Sequence, residues 1–284
     1  MSEHFLLFDV GGTDIKAGLA NTNGDILQVL REPTRKTAPE ESAAELVTQL
    51  GEISRRLTAE SGTTPVSAGL AVCGLVDPEN GIGIFSANLG WRDAPLQAMA
   101  RETLGVPVGF GHDVAMAARA ELELGSGAKD AARRRNAVVM VIGTGIATAL
   151  MVDGRLISAG GYAGAIAKRY LAATGKRGGA REVFAARAAG DQVAAGIIHD
   201  AIEALTFTMA QLCSSVAPEG IVLGGGLAQA GPSFFAELRE SLHRRLSFHR
   251  EPRLIPAHLG ADAGLQGAMI LARDAAGRSA RIAL

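Results

Sequence analysis

The order strand, glycine turn, strand, tight turn, strand occurs twice in this chain, and few folds accommodate that duplication. LLFDVGGT (6–13), IKAGLA (15–20), Asn23-Gly24 and DILQV (25–29) make up the first set. AVVMVIGTG (137–145), IATALMV (146–152), Asp153-Gly154 and RLIS (155–158) make up the second. Short apolar runs joined by Asn-Gly or Asp-Gly read as paired strands. A duplicated hairpin unit predicts two similar α/β lobes, and 284 residues exceed one modal domain.

Helical periodicity fills the intervals. Thr37 is placed to cap a helix with Pro39 in its first turn, and Leu46, Val47, Leu50, Ile53 and Leu57 share one face. VSAGLAVCGLV (66–76) reads as a strand, and Asp93-Ala94-Pro95 opens a helix carrying Leu96, Met99 and Leu104. An alanine-rich helix is expected over 114–124 and a long one over 192–217. GIVLGGGL and RLIPAHL then read as strands, followed by a terminal helix. No proline-rich linker separates the lobes. The expected division is 1–112, completed by a C-terminal helix at about 265–284, and 113–264.

Charge and cysteine usage narrow the function. Lys and Arg number 28 against 29 Asp and Glu, so no global field draws the chain to nucleic acid. Two cysteines, Cys73 and Cys213, lie far apart and cannot form a disulfide scaffold or a CxxC metal knuckle. The apolar start is too short for a signal peptide, and no run approaches about 18 uninterrupted apolar residues. The expectation is a soluble, cytoplasmic protein without a membrane or nucleic-acid partner.

Among 36 glycines, three clusters follow apolar strands: Gly11-Gly12-Thr13, Gly143-Thr144-Gly145 and Gly224-Gly225-Gly226. Glycine lets a backbone approach an anion and present its N–H groups, and threonine adds a hydroxyl donor. A lone cluster is equally a plain turn; three in duplicated positions point to phosphate. No Walker or dinucleotide-binding fingerprint is present. Asp9 ends a buried strand beside the first cluster, where a carboxylate is costly unless paired or associated with a cation such as Mg2+; a loop-capping Asp is the plain alternative. Lys16 projects near the same loop. Asp113, at a helix start, suits a general base that takes a proton from a substrate hydroxyl, and equally an ordinary N-cap. Neighbouring His112 suits donation to a substrate oxygen, or simple hydrogen-bonded packing.

Taken together these residues resemble the ROK family of repressors and sugar kinases. DVGGTDIK (9–16), GLAVCGLVD (69–77), ANLGWRDAPL (87–96), GHDVAMAARAE (111–121), VIGTGIATALMVDGRL (141–156), IVLGGGLAQAG (221–231) and LGADAGLQGAM (259–269) follow family order over nearly the whole chain. The resemblance implies a two-lobed actin-like ATPase fold, built by duplication of a ribonuclease H-like unit. It implies ATP and Mg2+ in a cleft, with Gly11, Gly12, Thr13, Gly143, Thr144 and Gly145 at the phosphates and Gly225 and Gly226 by the adenosine. Asp113 would be the base, Asn88 and Glu182 would contact the sugar, and the protein would be a homodimer. The chain also departs from the family. Ala165 stands where a sugar-binding Glu is usual, Lys168 where a His is usual, His112 where an Asn is usual and Cys73 where a proline is usual. No cysteine occurs between 73 and 213, so no zinc is expected.

The leading expectation is therefore a glucokinase-like, ATP-dependent sugar kinase. A catalytically weak or inactive ligand-binding relative is the alternative. A polyphosphate-dependent glucokinase and a transcription regulator rank lower, the latter because eight residues before Asp9 leave no room for a helix-turn-helix.

Overall fold

FLLFDV forms β1 (His4–Val10), with β2 (Asp14–Asn21) and β3 (Ile26–Pro33) beside it as an antiparallel meander. The structure is a computed structural model; it describes residues 3–126, 136–142, 146–152, 155–159, 166–176, 180–225 and 230–282. The β2–β3 turn closes as expected at Gly24, whose φ is 94°, and the Asn21 side chain accepts the Asp25 amide at 2.9 Å. After α1 (Ser42–Ser61), β4 (Pro65–Val72) lies parallel to β1.

The run 66–76 does not continue as one strand. It breaks at Gly74, φ 124°, and resumes as β5 (Leu75–Asp77), which joins β6 (Ile82–Phe85) and β7 (Arg92–Ala94) in a small antiparallel sheet. Next come α2 (Leu96–Leu104), β8 (Val108–His112) parallel to β4, and α3 (Asp113–Glu123). The helix expected to be capped by Thr37 begins later than that: Glu41 precedes α1 without a side-chain cap bond, and Ser42 Oγ donates to the Pro39 carbonyl at 2.7 Å. Residues 34–38 form no regular element, and 39–41 make a turn in which the Glu41 amide donates to the Ala38 carbonyl at 3.0 Å before the apolar face begins.

The second meander is β9 (Ala137–Ile142), β10 (Ile146–Val152) and β11 (Arg155–Ala159). Helices α4 (Ile166–Thr174), α5 (Ala180–Ala188) and α6 (Gln192–Val216) precede β12 (Gly220–Gly224). Then α7 (Pro232–Arg245), β13 (Arg253–Pro256) and α8 (Ala263–Ile282) complete the chain. The two five-stranded sheets run β3-β2-β1-β4-β8 and β11-β10-β9-β12-β13, so the repeat seen in the sequence is a repeat of topology. This is the duplicated actin-like ATPase architecture.

The chain divides into Met1–Ala120 with Asp262–Leu284, and Glu121–Ala261; the division falls inside α3. In the first unit, strand alternation sorts β1 onto two cores. Leu6, Phe8 and Val10 pack with Leu46, Leu50, Ile53 and Leu57 of α1, while Phe5 and Leu7 pack with Leu265, Ala268 and Met269 of α8. Helix α8 lies so close to the sheet that a β-carbon at Gly69 or Gly109 would strike the backbone of Ala268 or Leu271. Asp9 shares the parity of Phe5 and Leu7, so it emerges on the α8 face.

In the second unit, α6 is long and apolar enough to cross a membrane by length and composition, although Asp200 and Glu203 interrupt its apolar run. Its residues Ile198, Ile202, Leu205 and Met209 are buried against β9, β12 and α7, which is the position of a core helix. Asp191 caps α6 by accepting the Val193 and Ala194 amides. Buried Glu121 accepts the amides of Ser126, His258 and Leu259 at 2.6–2.9 Å, tying the end of α3 to the segment leading into α8.

Candidate active site

The first glycine loop is held by the segment that follows β3. The Thr34 amide donates to the Thr13 carbonyl at 2.8 Å, the Thr34 hydroxyl to the Gly11 carbonyl at 2.9 Å, and Lys36 Nζ to the Gly12 carbonyl at 2.6 Å. Three successive carbonyls thus point toward residues 34–36. Each peptide is planar and trans, so the N–H groups that follow, on Gly12, Thr13 and Asp14, point the other way. Gly12 and Thr13 amides have no acceptor among the described residues. Such a row of outward N–H groups is an anion cradle.

Asp9 stands at the base of this loop. A β-carbon at Gly264, in the first turn of α8, would overlap its carboxylate. Burial first, and the charge of Asp113 second, push the Asp9 carboxyl up to about 6, against the pull of Lys16 and Arg31. No hydrogen-bond donor reaches the carboxylate among the described residues. A half-buried carboxylate without donors is chemically suited to a hard cation. No group of three or more His, Cys, Asp or Glu side chains converges among the described residues. A cation here would therefore rest on Asp9, water and substrate phosphate, as Mg2+ commonly does. Lys16 sits opposite Asp9 in the β1–β2 register, and its ammonium pairs with Asp262 at 2.6 Å.

At the C-terminal end of β8, level with Val10 across β4, His112 and Asp113 divide two tasks that the sequence leaves open. The Ala115 amide donates to His112 Nδ1 at 3.3 Å, so the histidine caps α3. Asp113 accepts the adjacent Val114 amide at 2.7 Å, and its Oδ1 lies 3.4 Å from His112 Nδ1. Burial pushes the Asp113 carboxyl above the ordinary carboxylate range. Burial outweighs the opposing pull of His112, whose Nδ1 lies 3.4 Å from Asp113 Oδ1, and of the Val114 amide.

Cys73 belongs to the same cluster. Its thiol bonds to Ser86 and is pushed up to about 11 by burial and by the Asp113 charge, so it is a neutral wall rather than a nucleophile. Ser86 also starts the Asn88 loop: its carbonyl accepts the Gly90 amide at 2.8 Å and its hydroxyl accepts the Leu89 amide. Leu89 and Trp91 are buried, leaving Asn88 exposed at the tip. Lys36 Nζ donates to the Asn88 carbonyl at 2.5 Å.

Asp9, Gly11, Gly12, Thr13, Lys16, Asn88, His112 and Asp113 thus all belong to the first unit. Glu182 is an exposed residue of α5 in the second. Gly225 follows β12 with φ 80°, a conformation favouring glycine. Gly143, Thr144, Gly145, Gly226 and Ala165 lie outside the described residues, as does the side chain of Lys168. Sequence reasoning missed Thr34 and Lys36, because a lysine in a polar loop carries no periodic signal.

Comparison with known proteins agrees with this fold. A model of the ROK family matches residues 6–167 and 162–275. A glucokinase of Halalkalibacterium halodurans is 27% identical, the match covering 91% of this chain and 92% of the relative. A bifunctional enzyme NanE/NanK of Brucella melitensis is 35% identical over 95% of this chain, which spans 54% of that enzyme. The crystal structure of a ROK hexokinase from Thermus thermophilus superposes with a TM-score of 0.75 at 26% identity, covering 95% of this chain and 97% of that one.

Proposed function

The chain belongs to the ROK family and is a sugar kinase, and on that premise we propose that it phosphorylates a hexose or related sugar with ATP and Mg2+, using Asp113 as general base. The observation that carries this reading is the division of labour at α3. His112 caps α3 through the Ala115 amide, and burial pushes the Asp113 carboxyl up, which suits it to accept a proton. In this reaction the sugar oxygen bonds to the γ-phosphorus as the bond from phosphorus to ADP breaks, and the hydroxyl proton passes to Asp113.

Gly12 and Thr13 direct their amides at donor phosphate. Bound Mg2+ would neutralise phosphate charge, with Asp9 as its protein carboxylate. Asn88 and Glu182 hold sugar hydroxyls, and His112 Nε2 offers a further donor. Gly143, Thr144 and Gly145 serve the phosphates from the second repeat, and Gly225 and Gly226 the adenosine. A homodimer in the cytoplasm fits the same family reading.

A coupled ADP-release screen over hexoses, N-acyl amino sugars and polyols tests the proposal, with glucose first and inorganic polyphosphate as a second donor. At least one sugar should give release well above the Asp113→Asn variant. Equal background rates across the whole panel would end the kinase reading.

A further inference from the structure

One ammonium group bridges the two loops that this reading assigns to different substrates. Lys36 Nζ donates to the Gly12 carbonyl of the phosphate loop at 2.6 Å and to the Asn88 carbonyl of the sugar loop at 2.5 Å. Both acceptors are backbone atoms, so the bond lengths report loop spacing and not side-chain choice. No carboxylate pairs with Lys36 among the described residues, whereas Lys16, the cation nearest in sequence to the loop, is paired with Asp262. Hydrogen bonds from an ionised donor are shorter and stronger than neutral ones. The two loops also meet directly, since a β-carbon at Gly12 would lie 2.8 Å from Asn88 Cβ.

We propose that Lys36 is a positioning residue for phosphoryl transfer, a staple that sets the distance between the donor-phosphate loop and the sugar loop. The role rests on the sugar-kinase reading above, since it gives the two loops their separate substrates. Lys36 completes a set in which residues 34–36 restrain the carbonyls of Gly11, Gly12 and Thr13 in succession. Thr34 orients the loop, and Lys36 alone of the three contacts carries that order across to Asn88. A staple of this kind acts on alignment of the reacting atoms, where a displacement of about 1 Å costs on the order of 100-fold in rate.

Amide hydrogen exchange on the unliganded full chain tests the staple, using Lys36→Met and Lys36→Arg. Lys36→Met should speed exchange about tenfold at both Gly11 and Leu89–Gly90, the factor carried by one lost charge-assisted hydrogen bond. Lys36→Arg, which keeps a charged donor, should restore protection. Unchanged exchange in either loop overturns the proposal. Steady-state kinetics on the best sugar supply the second readout. Lys36→Met should lower kcat about 100-fold while moving each KM by less than about fivefold, and Lys36→Arg should recover most of it. A Lys36→Met kcat within twofold of the parent overturns the positioning role. Absence of turnover in the unsubstituted chain sinks the kinase reading and the transfer role with it, while exchange still reports whether the staple exists.

Discussion

Gly12 and Asn88 are in contact through space that only glycine leaves open: a β-carbon at Gly12 would lie 2.8 Å from Asn88 Cβ and 3.0 Å from Asn88 Cγ. The glycine therefore does more than free the backbone. Gly12→Ala must push the two loops apart, because the opposing atom is a β-carbon and not the end of a flexible chain. Stability should fall by about 1–3 kcal/mol, as for other overpacked sites. The value of kcat/KM should fall on the order of 100-fold, since alignment is lost as well. Thermal unfolding and steady-state kinetics on one preparation check both; an alanine variant with parental kcat/KM would show that the loops tolerate separation.

Asp9 makes the free protein's stability depend on pH. Its carboxyl sits at about 6 in the folded chain against 3.8 for an ordinary Asp, so the folded state holds the proton more tightly between those values. Stability should fall as pH rises through this window, and the penalty, on the order of 3 kcal/mol, is complete above about 6. Asp9→Asn should remove that dependence and raise the melting temperature of the free protein at pH 7.5. Activity should drop sharply in the same variant. Parallel melting curves for parent and variant from pH 4 to pH 8 would contradict the assignment.

Cys73 should resist alkylation although it borders the site. With its thiol pushed up to about 11, roughly one molecule in a thousand is thiolate at pH 8. Cys213 is buried and its thiol is also raised. Mass spectrometry after an hour in iodoacetamide at pH 8 should find most native protein unmodified, and both sites labelled after unfolding in urea. Rapid native labelling at Cys73 would mean a more exposed and acidic thiol than this geometry allows.

The duplication was legible in the sequence because hairpins are local. Asn23-Gly24 and the alternating residues of β1 and β2 encode their own pairing, and the face shared by Leu46, Val47, Leu50, Ile53 and Leu57 is buried as its spacing predicts. The small sheet was not legible. Its strands are three or four residues long, and Gly74 bends the chain inside one continuous apolar run. Asp113 was recognisable as a carboxylate at a helix start, but its freedom from capping depends on His112 Nδ1 reaching the Ala115 amide. Lys36 was invisible because both its acceptors are backbone carbonyls, one of them 52 residues away in sequence.

Asp113 and Glu182 should separate in a kinetic experiment, because the proposed roles act at different stages. Asp113→Asn preserves volume and keeps an oxygen for the Val114 amide, which the parent side chain accepts at 2.7 Å. The helix cap stays with His112, so folding should be unaffected. The amide cannot take the hydroxyl proton, and kcat should fall by about 10²–10⁴-fold. In the parent, burial holds Asp113 above the usual carboxylate range, so the acid limb of the kcat/KM profile should lie at higher pH than for an exposed Asp. Replacing His112 with Asn would remove any cationic pull and leave that limb in place or move it upward. Glu182, exposed on α5, is proposed to contact the sugar in ground and transition states alike. Glu182→Ala should then raise the sugar KM by more than it lowers kcat. Full kinetic profiles of both variants on the best sugar decide the matter. Near-parental turnover in Asp113→Asn would assign the base elsewhere, and a pure kcat loss in Glu182→Ala would give that glutamate a role in the transfer step itself.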